Sequence, residues 1–450
     1  MQTRLKDGDI AVILDTNDLS KTCFLDSLTL YSTSKPFRAL SSDGYAYQKN
    51  RNSGNISSVL VLEPSTTATG VPKLIRRDFD CVVAESLDIS ESTLEGSPLT
   101  GQAEKKVKVE PTDSNETQPQ AISQPQTVSQ PQSAAEPTKQ TNWAQAYETL
   151  FCLIASYKYK LPLVDPVEFL PQLEGLVRIA KEYDCLQRVE SALSGLFMKW
   201  VGSRKLWHAI AINPARWLLI GLTLEERTVF DEAFVHLVGS FPGRSWAEAV
   251  KLLPEAVTAN IERKARDLRY HHYEIDQKLL CFTVKVQAPV TSPIKEVVAD
   301  YHGSPSAYAT VNLWRDWVAE HLAYLRDQET ASDAVTANPT RLCKHSLGDC
   351  LTVAGFYRTI HRAGDALLSV EDVIAAQNSN CKTEKVRSTL AELKAKAAKT
   401  VAPFANSSLQ FADRDKLEYL TCVEVEDGDV PWLQKREAND EDQDDLIMYD

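Results

Sequence analysis

The sequence predicts an α+β protein: a small sheet capped by helices, followed by a mostly α-helical region. Three observations carry that expectation. The apolar, β-branched run Ile10-Ala11-Val12-Ile13-Leu14 suits a buried strand, and residues 57–62 repeat the pattern. From Trp143 onward, apolar residues recur at helical spacing almost to residue 400. Between these regions lies a polar stretch in which 12 of the 30 residues from Pro111 to Gln140 are Pro or Gln. It holds too few large apolar side chains to offset the entropy of ordering, so about 86–140 reads as a disordered insertion.

The elements follow in order. After the first strand, Asp15-Thr16-Asn17-Asp18 is turn chemistry, because Asn and Asp satisfy their own backbone locally. Thr22 to Leu25 returns as a second strand, and Leu28, Leu30 and Tyr31 open a helix. Ser57 to Leu62 and Phe79 to Val83 read as further strands. Past the insertion, Trp143, Ala146, Tyr147, Leu150, Phe151 and Ile154 make one apolar helix face that Leu161-Pro162 closes. Asp165, Pro166 and Glu168 supply an N-cap, a first-turn proline and a capping-box acid. Leu173, Leu176, Val177 and Ala180 form the next stripe, and Leu186, Val189, Leu193, Leu196 and Phe197 another. Phe230, Phe234, Leu237 and Val238 share a face, and Pro254 starts a charged helix to about Leu268. Trp314, Trp317, Val318, His321, Leu322 and Leu325 form a further stripe, and 382–399 reads as an exposed helix. Only Leu280 to Val286 looks strand-like in this half. From Glu424 to Asp450, 11 residues are acidic and two basic, which predicts a mobile tail.

The totals narrow the function classes. With 450 residues, 43% of them hydrophobic, two to three domains are expected. A formal charge of −13 opposes a general nucleic-acid surface, so direct nucleic-acid binding is not expected. Nine scattered cysteines suit a reducing compartment rather than a disulfide scaffold. No apolar run approaches the ~18 residues of a membrane span. The charged start, Met1 to Asp7, lacks the apolar core of a signal peptide. The expected location is nucleus or cytoplasm.

Two separated stretches resemble a known family. Gly8-Asp9-Ile10-Ala11-Val12 is similar to the first strand of a BTB/POZ domain, and Ser34-Lys35-Pro36-Phe37-Arg38-Ala39-Leu40 to the end of its early helix. Lys35 stands where the family's proline is usual, and Pro36 follows it. The family's usual His before the first helix is not evident. Ala180-Lys181-Glu182-Tyr183-Asp184-Cys185 resembles the family's turn between helices. The resemblance is to the divergent fungal type and covers about 5–65 and 142–200, with Leu218 to Val238 similar to a BACK-like extension. It implies a BTB-like domain over 1–200, with Gly8, Asp9, Phe37, Tyr183, Asp184 and Cys185 as its motif residues. A BACK-like helical extension over 201–330, further helices over 331–422 and an acidic tail over 423–450 complete the expected organisation. Such domains bind proteins and perform no chemistry. The implied partners are a second copy of the chain or a cullin, as in a ubiquitin-ligase substrate adaptor.

Local motifs add alternatives. Val107-Lys108-Val109-Glu110 matches the consensus for SUMO attachment, and Pro111 favours the extended backbone that modification needs. This suggests a nuclear regulatory scaffold, with SUMO-pathway proteins as partners. Asp444-Asp445-Leu446-Ile447-Met448-Tyr449-Asp450 resembles a SUMO-interacting strand, although a solubilising tail is the simpler reading. Cys343, His345 and Cys350 lack a fourth zinc ligand. His271-His272 reads as a solvated helix face, His321 as a packed histidine, and Trp200, Trp207, Trp217, Trp314 and Trp317 as helix-packing anchors. No dinucleotide fingerprint, P-loop, nucleophile elbow or Cys-x-x-Cys occurs, so no enzyme, cofactor or metal is expected. A third alternative is a catalytic group assembled in the helical region.

Overall fold

The computed structural model describes residues 10–15, 21–40, 58–64, 70–77, 142–155, 161, 163–288, 295–330, 352–362, 368–376, 383–411, 413 and 416–434. The chain divides into two compact units, Met1–Leu196 and Phe197–Asp450. It is a mixed α and β protein with a small N-terminal sheet followed by helices.

In the first unit, β1 (Ile10–Ile13), β2 (Thr22–Leu25), β3 (Ser58–Glu63) and β4 (Lys73–Arg77) form a sheet in the order β2-β1-β3-β4. The β1–β2 pair is antiparallel, with Ile10 opposite Leu25. The β1–β3 pair is parallel, with Val12 opposite Leu60, and the β3–β4 pair is antiparallel. Side chains alternate between faces, so this register puts Ala11, Ile13, Val59 and Val61 together on one face with Phe24 beside them. Ile10, Val12, Cys23, Leu25 and Leu60 fall on the other face and are also buried. Both faces are apolar, which is why the strands read as continuous runs rather than alternating ones. The sequence did not suggest β4, whose alternation is obscured by Lys73, Arg76 and Arg77. Residues 79–83, expected as a strand, lie outside the described residues.

Short helices α1 (Ser27–Thr33) and α2 (Lys35–Ala39) follow β2. Asp26 caps α1 by accepting from the Thr29 N–H at 3.0 Å. Ser34 ends α1 and caps α2, accepting from the Phe37 N–H at 3.2 Å. The shifted proline is tolerated because Pro36 is still in the first turn, where a missing N–H costs no helical bond. Helix α3 (Trp143–Ala155) is described only as far as Ala155, short of the expected Leu161-Pro162 stop. Helix α4 (Pro166–Glu182) starts as its sequence predicts: Asp165 accepts from the Val167 N–H at 3.1 Å, and Glu168 lies in the first turn. Helix α5 (Leu186–Gly202) runs across the boundary between the units.

The second unit contains α6 (Lys205–Ile212), α7 (Pro214–Thr223), α8 (Arg227–Gly239), α9 (Arg244–Leu252), α10 (Glu255–Leu280), α11 (Pro305–Thr330), α12 (Val353–Arg362), α13 (Val370–Ala376) and α14 (Thr383–Ala405). Trp200 and Trp217 meet edge to face, with centroids 6.3 Å apart. Helix α10 extends a further three turns beyond Leu268, because Ile275 and Leu279 continue its buried stripe. Leu280 therefore ends a helix, and the only strands here are β5 (Lys285–Gln287) and β6 (Glu296–Val298) among the described residues. The expected division at residue 330 does not separate two cores. Leu279 of α10, Trp314, Trp317 and Leu322 of α11, Phe356 of α12, and Leu393 and Val401 of α14 share one cluster with Leu420.

The acidic tail requires a second correction. Residues 424–434, expected to be mobile, are packed: Val430 is fully buried, Asp429 is 3% exposed and Trp432 7% exposed. Charge composition alone misread them, because their carboxylates meet cations on α8 and α10. The rest of the expected tail, 435–450, lies outside the described residues.

Candidate functional site

In the first unit the structure brings together two of the motif residues that are distant in sequence, Phe37 and Tyr183. Phe37 of α2 and Tyr183, at the end of α4, stack with centroids 4.2 Å apart and planes within 10°. Phe151 of α3 lies 6.0 Å from Phe37. The Ser34 hydroxyl donates to the Tyr183 carbonyl, fixing the start of α2 to the end of α4. Tyr183 also accepts the Leu74 N–H of β4 at 3.3 Å, and Tyr147 of α3 donates to the Pro72 carbonyl at 2.6 Å. Burial raises the phenol pKa of both tyrosines, so they act as neutral hydrogen-bonding groups.

The turn after Tyr183 has a clear physical basis. Asp184 adopts a left-handed backbone, φ 50°, a conformation that Asp tolerates better than most residues. The chain reverses there so that the Cys185 N–H returns to the Ala180 carbonyl at 2.9 Å. The Cys185 thiol is buried and points back at the same carbonyl. Burial pushes this thiol up to about 12 and those of Cys152 and Cys422 to about 11, so none is a ready nucleophile. Gly8 and Asp9 lie outside the described residues, as do Val107, Lys108 and Glu110, the Cys343–His345–Cys350 group and residues 444–450.

The second unit contains an arrangement that sequence reasoning missed. The described residues after α14, 406–411, 413 and 416–434, form a largely irregular strap with a 3-10 turn at Asp427–Asp429 and a helical turn over 431–434. It lies against α8 and α10. Glu232 of α8, 4% exposed, accepts from the Gln410 and Phe411 N–H groups, each at 2.9 Å. His236, one turn further along and fully buried, contacts the Tyr419 hydroxyl through Nδ1 at 2.7 Å. Burial pushes the Glu232 carboxyl up to about 7, although the two N–H donors work against it. Burial also holds the His236 imidazole down to about 4. Gly239 lets the strap approach closely, because a Cβ there would collide with the Leu420 carbonyl oxygen.

Farther along, Arg227 of α8 bridges Asp231 at 2.7 Å and Asp427 at 2.8 Å, and donates to the Val425 carbonyl at 3.0 Å. Asp429 accepts from Lys264 at 2.8 Å, Arg263 at 2.9 Å and Asn260 at 3.2 Å, all on α10. Burial alone would raise the Asp429 pKa, but the bonds from Lys264, the Glu426 N–H and Asn260, with the Lys264 charge, hold it below the usual range. Trp432 meets Phe230 edge to face at 5.1 Å. The sequence does contain a faint signal. Glu232 and His236 stand at i,i+4 among the apolar residues Val229, Phe230, Ala233, Phe234, Val235, Leu237 and Val238 of α8, which asks for buried partners.

The remaining candidates pack as structural groups. His272 is half-buried rather than solvated: its ring meets Tyr357 edge to face, and Tyr357 donates to Asp276 at 2.5 Å. His321 is buried beside Trp317, with Nδ1 2.8 Å from the Trp317 carbonyl. Among the described residues, no group of three or more His, Cys, Asp or Glu is placed to hold a metal, and no helix is long and apolar enough to cross a membrane. No protein-family model matches the chain, and no curated protein or solved structure is similar enough to count as a match.

Proposed function

We propose that this chain is a non-enzymatic adaptor, with a BTB/POZ-like first unit that binds a second copy or a cullin-type scaffold and a helical second unit that recruits another protein. The reading is supported above all by the Phe37–Tyr183 stack and the Ser34–Tyr183 hydrogen bond. They join the two distant stretches on which the resemblance rests. The placement of β1 between an antiparallel β2 and a parallel β3, with helices on the sheet, agrees with that reading. Two binding units in one chain raise the effective concentration of their partners. Affinity purification from the native cell, comparing full-length protein with residues 197–450, tests it. Cullin recovered only with the full-length chain is the expected result. Recovery of nuclear regulatory or SUMO-pathway proteins in its place moves the reading to the regulatory scaffold.

A further inference from the structure

We propose that the shared face of α8 and α10 is a docking site for an acidic peptide with an aromatic anchor. The chain's own 424–434 segment fills it in cis, and a partner protein carrying such a segment takes its place. This inference does not depend on the reading of the first unit.

Charge complementarity identifies the ligand. The face offers Arg227, Arg263 and Lys264, with the Asn260 amide beside them; the segment offers Glu424, Glu426, Asp427 and Asp429. The helices also read the segment's backbone. Arg227 donates to the Val425 carbonyl, Lys264 to the Glu424 carbonyl at 3.3 Å, and Asn260 to the Asp429 carbonyl at 3.3 Å. That is how a helix face recognises a short linear segment, which has no ladder partner of its own. Three residues after Asp429, Trp432 supplies the apolar anchor on Phe230.

Two of the three cations also have partners on their own helices. Asp231 orients Arg227 from one turn along α8, and Asn260 Oδ1 accepts from Arg263 at 2.7 Å within α10. Cations held in place by their own helix lose little freedom when a ligand arrives. The upstream strap is anchored differently. Leu420 belongs to the core, Glu232 holds residues 410 and 411, and the Ser408 hydroxyl donates to the Val423 carbonyl at 2.9 Å. The contacts that hold Ser408, Gln410, Phe411 and Leu420 are separate from those that hold 424–434, so the latter segment can lift without breaking them.

The test uses full-length protein and a fluorescent peptide of residues 424–434. In wild type the cis segment competes, so apparent affinity falls in proportion to the unoccupied fraction. Full-length protein carrying Asp429→Asn and Trp432→Ala should bind the peptide at least about tenfold more tightly than wild type. Adding Lys264→Ala to that variant should abolish the gain. A second measurement is amide exchange on wild type. The amides of 424–434 should open well before those of α8 and α10, in a sub-global event. Equal peptide affinity for wild type and variant, or no binding to either, overturns the proposal. So does exchange of 424–434 only in step with global unfolding, which is also the readout if the double variant fails to fold.

Discussion

Phe37 and Tyr183 lie face to face although they are far apart in sequence, and the carbonyl of Tyr183 is the acceptor for Ser34, 149 positions earlier, at the start of the helix that carries Phe37. One residue thus closes the first unit through both its ring and its backbone.

Removing that ring should unfold the first unit selectively. Phe37→Ala or Tyr183→Ala should each cost about 3–5 kcal/mol, as for other buried aromatics. Tyr183→Phe keeps the stack, loses the acceptor for the Leu74 N–H and should cost about 1 kcal/mol. Urea melts followed by near-UV circular dichroism should show a weakened first transition with the second unit's transition unmoved.

Asp184 holds its left-handed conformation at some cost, which glycine would relieve. Asp184→Gly should leave stability within a few tenths of a kcal/mol, whereas Asp184→Val should lower it by roughly 1–2 kcal/mol. Equal effects of the two substitutions in thermal melts would show that the backbone angle is not what the position requires.

The α8 pair makes opposing contributions to pH dependence. Glu232 titrates at about 7 when folded and near 4.5 when exposed, so its contribution is present below 4.5 and lost as pH rises towards 7. His236 titrates at about 4 when folded and near 6.5 when exposed, so its contribution is present above 6.5 and lost as pH falls towards 4. Each is of the order of 3 kcal/mol. The two slopes oppose one another between about 4.5 and 6.5 and leave the wild-type unit nearly level there. Glu232→Gln should expose the acid-side loss, and His236→Gln the loss on raising pH. Denaturant midpoints measured at half-unit pH steps check both; parallel profiles for the two variants would contradict the assignment.

Gly239 permits the strap's close approach, so Gly239→Ala should push Leu420 out of register and cost about 1–3 kcal/mol. The same substitution at Gly195, where an added methyl meets nothing, should be neutral or slightly stabilising. Paired thermal melts make the comparison.

The Val107–Lys108–Val109–Glu110 sequence gives a modification test independent of the folded units. Lys108→Arg should remove a SUMO-shifted band from immunoblots of the native protein. A band that persists would assign the modification elsewhere.

Much of this architecture is legible in the sequence, because local signals and burial agree over long stretches. The Asp165–Pro166 start of α4, the tryptophan anchors and the packed role of His321 all follow from capping chemistry and 3.6-residue spacing. Strand β4 was hidden because its basic residues mask the short apolar alternation around Leu74. The strap was hidden for a different reason. Acidic residues in an irregular segment look solvated until the cations that meet them, some 160 to 200 positions earlier, are placed beside them. Glu232 is the same case within a helix, since its partners are backbone N–H groups that carry no side-chain signal.

The Tyr147 hydroxyl donates to the Pro72 carbonyl and the Leu74 N–H to the Tyr183 hydroxyl, so β4 is sealed only after α3 and α4 are made. The Leu74 amide waits 109 residues for its acceptor. At roughly 5–20 residues per second, that is roughly 5–20 s during which strands already made cannot be sealed by their helices. Apolar strand edges left open for so long favour early chaperone engagement on the ribosome. The second unit has a comparable wait of its own, because Leu279 of α10 shares its core with Leu393 and Val401 of α14 and the Lys396 ammonium donates to the Thr283 carbonyl 113 residues earlier.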